Sequence, residues 1–142
     1  METIVSKILP DDLPRKEDSI EGDRYAHLAR INWRLNATIQ FGGNELEADK
    51  FLRRVSWGKY RAFTDEDGRE YKWLLGARSS ELYLNDESKT PVAKFHPKNI
   101  GSFFGGEKRP ASLEIFPIGE SQADLIMITF LFVEKSRRDL TG

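Results

Sequence analysis

The chain contains no cysteine, which excludes disulfides, thiol nucleophiles and thiolate metal sites. It has only 2 histidines. His27 and His96 stand far apart, with no local acid or nucleophile beside either, so neither a metal centre nor a cofactor is expected. The net charge is −1. No overall field recruits a polyanion, and no nucleic-acid reader motif is present. No apolar run reaches the roughly 18 residues that cross a bilayer as a helix. The opening Met1-Glu2-Thr3-Ile4-Val5-Ser6-Lys7 lacks a basic-then-apolar leader pattern. These absences predict a cytoplasmic protein without a transmembrane segment. A length of 142 residues suits one domain with a real core.

What is present is organised around Leu125–Val133, Leu-Ile-Met-Ile-Thr-Phe-Leu-Phe-Val, the most apolar run in the chain. Ser121 and Asp124 have the spacing of a capping box. Acids precede the run, and Lys135, Arg137 and Arg138 follow it, which matches a helix dipole. Its β-branched and aromatic content suits a strand instead, but the flanks favour a helix over about residues 122–138. Within it, Thr129 is expected to bond the carbonyl of Leu125, one turn back. Such a helix is apolar on every side and must be surrounded by protein. Burying its 8 apolar side chains is worth about 12–24 kcal/mol gross. A typical net stability is only about 5–15 kcal/mol.

Residues 1–23 read as a polar lead-in, either a flexible tail or a lone edge strand, and residues 24–142 as the domain. From Leu28 to Pro117 the pattern is of short strands. Leu28–Leu35 alternates, with Ala29, Ile31, Trp33 and Leu35 on one face. Ile39 and Phe41 make a second strand, and Trp57–Phe63 another. Asp65-Glu66-Asp67-Gly68 is a hairpin turn, with Gly68 at positive φ. Strands follow at Glu70–Leu75, Glu81–Leu84, Pro91–His96 and Ala111–Phe116. About eight antiparallel strands and a terminal helix predict a mainly β (β+α) fold, a curled sheet or open barrel around the helix. Eight strands leave an interior just wide enough for side chains, whereas a helix is about 10–12 Å across. The barrel is therefore expected to be open. Residues 1–23, a second copy of the chain in a homo-oligomer, or a ligand would fill the gap.

Several motifs resolve to plain readings. Gly101–Lys108 superficially follows a phosphate-binding loop, but Glu107 stands where the pattern needs lysine. Phe103 and Phe104 within it have two readings, folded onto the core or forming a lid or membrane-dipping tip. The acids Asp65–Asp67 and Asp86–Glu87 lack calcium-loop spacing. The serines lack a nucleophile-elbow context.

Two longer blocks carry a resemblance. Asp67-Gly68-Arg69-Glu70-Tyr71-Lys72-Trp73 and Pro91-Val92-Ala93-Lys94-Phe95 form the first. Arg109-Pro110-Ala111-Ser112-Leu113-Glu114-Ile115 and Asp124–Phe130, with Glu134-Lys135, form the second. In these the chain resembles a domain family of unknown function widespread in mushroom-forming fungi. It is more distantly similar to tubby-like and LURP-one-like barrels, in which strands enclose a C-terminal apolar helix. The family supplies no catalytic residues. The tubby-like similarity implies phosphoinositide binding or another lipid-related role, by fold analogy.

Strand alternation then nominates two sets of site residues. Arg30, Arg34, Lys59, Arg61, Lys72 and Lys94 are expected to face outward as a patch for anionic headgroups. Trp33, Tyr60 and Trp73 are expected to face inward, as core or as an apolar groove to which Phe103 and Phe104 of the glycine-rich loop are added. The leading expectation is a non-enzymatic binding domain for a lipid, an anionic headgroup or a protein partner. The alternatives are a small isomerase- or cyclase-type enzyme holding an apolar small molecule, with Glu114 or Asp124 as its acid, and a self-associating interaction module.

Overall fold

The computed structural model describes residues 1–8, 25–98 and 110–141. The chain divides into two compact units, Met1–Ala48 and Asp49–Gly142. The mainly β class with a C-terminal helix holds. Its strands form two antiparallel sheets, of four and six, and among the described residues they close no barrel.

The first unit is a meander of β1 (Glu2–Ile8), β2 (Tyr25–Asn32), β3 (Thr38–Phe41) and β4 (Asn44–Glu47), paired in chain order. Ala29 lies opposite Val5 and Phe41, and Ile31 opposite Thr3 and Ile39. Ala29, Ile31, Ile39 and Val5 are all buried, so one face of the sheet carries this unit's apolar residues. Gly42 and Gly43 have φ of 58° and 80° and join Phe41 to its partner Asn44. This two-residue connection with both φ positive follows the right-handed twist of the strands. The expected strand through Leu35 stops at Asn32. Asn32 already pairs with Thr38, so residues 33–37 must reverse the chain, and Leu35 is left 99% exposed.

The second unit opens with the single turn α1 (Ala48–Phe51), which straddles the boundary. It continues with β5 (Arg53–Val55), β6 (Tyr60–Thr64), β7 (Glu70–Leu75), β8 (Ser80–Leu84), β9 (Pro91–His96) and β10 (Ser112–Ile115). These six strands are ordered β10-β9-β8-β7-β6-β5. A 3-10 turn, Pro117–Gln122, leads into α2 (Ala123–Thr141). Ser121 already lies inside that turn, so it does not cap the helix as its spacing suggested. Gly119 is required here. A Cβ on it would sit 2.7 Å from Val92 Cγ1 and 3.0 Å from Ile126 Cδ1, so only glycine lets the turn lie this close to both β9 and α2.

The hairpin at Asp65 is held by one carboxylate. Asp65 Oδ1 accepts the backbone N–H of Asp67 and of Arg69, and Oδ2 accepts the Tyr71 hydroxyl at 2.8 Å. Burial, then the bond to Asp65, pushes the Tyr71 phenol up to about 12. The acidic run is thus a turn with its first member turned inward.

Helix α2 packs on β7 and β8. Trp73, fully buried, donates its indole N–H to Thr129 Oγ1 at 3.0 Å. Thr129 in turn donates to the Ile126 carbonyl at 3.0 Å, one residue nearer than the Leu125 carbonyl expected from the sequence. Ile126, Ile128 and Val133 are buried, while Met127 and Leu131 are only half-buried. These two lie four residues apart and continue to Lys135, so among the described residues this stripe of the helix is less covered than the rest. Near its C-terminal end, Glu134 receives hydrogen bonds from Ser80 Oγ and Arg137 Nε, both at 2.9 Å. Arg137 also donates to the carbonyls of Gly76 and Ala77. All three side chains are buried. Among the described residues no helix is long and apolar enough to cross a membrane.

Burial opposes ionisation of Glu134, but the hydrogen bonds from Arg137 and Ser80 outweigh it and hold the carboxyl below its ordinary 4.5. A depressed folded pKa stabilises the fold above the unfolded value and loses that effect as pH falls through the folded one. Stability should therefore decline below about pH 4.5. Glu134→Gln should cost about 3 kcal/mol at neutral pH by leaving Arg137 buried without its counter-charge. It should also flatten the acid limb of stability, measured by urea unfolding across pH. Thr129→Val should cost about 1–3 kcal/mol by stranding the Trp73 indole. In the double variant with Trp73→Phe, the costs should sum to less than the two singles.

A cationic aromatic face on the six-stranded sheet

Directly opposed residues of an antiparallel ladder share a face. Across β6 to β9 the register Arg61, Trp73, Leu82, Ala93 follows Trp73 onto the helix side. On the other side lie Val55, Tyr60, Leu74, Glu81 and Lys94 in one row, with Arg53, Lys72 and Tyr83 in the next.

This corrects two expectations. Arg61 faces inward, 6% exposed, not toward solvent. It donates to Asp49 Oδ1 and to the Leu52 carbonyl, both at 2.9 Å, and its guanidinium lies 5.7 Å from the Phe132 ring centre. The hydrogen bond from Arg61 holds Asp49 below its ordinary value against the opposing effect of burial. An inward arginine is tolerated because α1 brings a carboxylate to meet it. The second correction concerns Tyr60, which occupies the face opposite Trp73. Trp33 belongs to the first unit, where its indole donates to Thr3 Oγ1 at 2.7 Å. The apolar-groove set is therefore not one lining, and Phe103 and Phe104 lie outside the described residues.

The six candidate cations separate by their partners. Arg61 is bonded to Asp49. Lys94 lies 4.0 Å from Glu81 and Arg30 3.5 Å from Glu2. Arg34 is exposed in the turn after β2, on a cleft of about 350 Å³ that Leu35, Thr38 and Glu45 also line. Lys59 and Lys72 differ from the rest. Their ammonium groups lie 5.7 and 4.9 Å from the centre of one ring, that of Tyr60. Neither has a carboxylate partner among the described residues. Lys72 also stands opposite Tyr83, whose hydroxyl donates to Glu81. That bond, then burial, pushes the Tyr83 phenol up to about 12. Tyr83 therefore stays neutral beside the cations, with its proton committed to Glu81. Of the two acids considered for an enzyme, Glu114 is exposed on β10 and bonded to His96 Nε2 at 2.9 Å, and Asp124 lies in the first turn of α2.

Sequence reading also missed a residue. Trp57, taken as the start of a strand, lies in the turn between β5 and β6 and is fully exposed. The usable signal was its setting, Ser56-Trp57-Gly58, small residues on both sides between two short strands.

The second unit thus carries its terminal helix on one face of the six-stranded sheet and a cationic aromatic face on the other. Residues 3–139 match the Family of unknown function (DUF6593), and the chain belongs to that family. No curated protein and no solved structure matches it significantly.

Arg61 should matter to the fold and not to ligand. Arg61→Gln should lower stability by about 2–3 kcal/mol, by removing a charged hydrogen bond to Asp49 and leaving the Leu52 carbonyl under-bonded. Urea unfolding measures it, and any ligand affinity of the folded fraction should be unchanged.

Proposed function

We propose that this is a non-enzymatic binding domain, a tubby-like variant, whose β6–β7 outer face docks on an anionic headgroup. The tubby-like assignment draws support from the apolar C-terminal helix lying against a large antiparallel sheet. The observation that carries the binding reading is the pair Lys59 and Lys72 on Tyr60. Two like charges drawn to one ring repel each other. Each exposed cation–π contact returns only about 0.5–1 kcal/mol. Lys94 and Arg30, by contrast, each have a carboxylate within 4.0 Å. With no carboxylate partner among the described residues, the two ammonium groups suit a phosphate-bearing ligand, which would supply the missing negative charge. The chain's net charge of −1 makes this a local attraction and not a general affinity for polyanions.

Flotation with phosphatidylcholine vesicles, with and without phosphatidylserine, tests the reading. Binding should require the anionic lipid and weaken with added salt. Lys59→Gln and Lys72→Gln should each weaken it about fivefold, at about 1 kcal/mol per charge near an anionic surface. Unchanged binding by the double variant would overturn the assignment of this face.

A further inference from the structure

The turn joining β5 to β6 is built in an unfavourable way. The Val55 carbonyl accepts the N–H of Gly58, and the Ser56 carbonyl that of Lys59, both at 3.2 Å. Ser56, Trp57 and Gly58 have φ of 52°, 59° and 87°, three consecutive residues in the left-handed region. Turn positions with positive φ favour Gly, Asn or Asp. A bulky side chain there is an outlier, because its Cβ crowds the backbone. Trp57 gains nothing for the fold in return, since its relative exposure is 106%. One residue thus carries both backbone strain and a large apolar surface in water. Such outliers persist where the strained geometry serves a function.

The surroundings indicate which function. Val55, 40% exposed, precedes the turn and pairs with Tyr60. Lys59 follows the turn, and Lys72 reaches the same tyrosine ring. A protein interface needs about 800 Å² from each partner and is poor in lysine. Here the exposed large apolar residues at the turn are Val55 and Trp57, and the adjacent unpaired charges are lysines. A bilayer interface asks for this combination instead: an indole at headgroup depth and flexible ammonium stems reaching phosphates beside it.

We propose that Trp57 is an interfacial anchor that enters the headgroup–acyl boundary of an anionic bilayer, with Lys59 and Lys72 on the lipid phosphates. The proposal rests on the headgroup reading above and adds that the phosphate belongs to a membrane and not to a dissolved molecule.

The full chain is tested against phosphatidylcholine–phosphatidylserine vesicles carrying brominated acyl chains, and against inositol hexakisphosphate as a soluble probe. Trp57→Asn is the informative variant, because asparagine tolerates the left-handed conformation and should melt no lower than the parent. The parent's tryptophan fluorescence should be quenched by the brominated lipid. Trp57→Asn should lose that quenching and bind vesicles about tenfold more weakly, with affinity for the soluble probe unchanged. Vesicle binding equal to the parent's, or a bound parent without quenching, would overturn the anchor while leaving the lysine face standing. If the lysine variants alter neither vesicle nor probe binding, the headgroup reading itself fails. Concentration-dependent self-association that Trp57→Asn abolishes, without vesicle binding by the parent, would assign the turn to a protein contact and overturn the bilayer.

Discussion

The hydrogen bond from the Trp73 indole to Thr129 is the constraint on which the second unit depends. Both groups are fully buried, and neither has water to turn to. The indole has one donor, and the threonine hydroxyl uses its lone pair for that donor and its proton for the Ile126 carbonyl. This fixes both the rotation of α2 and its height against β7. Five residues further on, Glu134 reaches Ser80 on β8, and Arg137 closes onto the carbonyls of Gly76 and Ala77. The helix is therefore tied to two neighbouring strands by polar contacts that an apolar surface alone would not specify.

That tie also decides what the opposite face carries. With Trp73 turned to the helix, strand periodicity sends Lys72 and Leu74 to the other side. The ladder then brings Tyr60 and Tyr83 alongside Lys72. The stability of the unit comes from one side of the sheet, which leaves the other free to hold groups that do not favour folding: two lysines on one ring, and a tryptophan in left-handed backbone at the turn between β5 and β6.

Much of this was legible in the amino-acid order, and the failures have physical causes. The helix could be read from its apolar run and its flanking charges, and the Asp65–Gly68 turn from its glycine. Trp73 inward and Lys72 outward follow from alternation. Arg61 was misread because the same alternation, begun from Tyr60, ignores what another element can supply. Asp49 on α1 neutralises an arginine that would otherwise be driven out. Leu35 and Trp57 were misread because apolar residues suggest strand continuity, whereas chain reversal at residues 33–37 and 56–59 was set by pairing on either side. The division into two sheets is likewise a matter of which strands pair, and periodicity within a strand carries no information about its partner. Of the candidate site, alternation alone placed Lys72 and Lys94. The convergence of Lys59 and Lys72 on Tyr60 needed the register.

Native-state hydrogen exchange tests the central claim most directly. If the Trp73–Thr129 bond locks α2 to the sheet, the backbone amides of Ile126–Val133 and the Trp73 indole N–H should be among the slowest in the chain, exchanging together through global unfolding. Fast exchange of the indole, or of the helix ahead of β7 and β8, would show that the helix is not held where the account requires it.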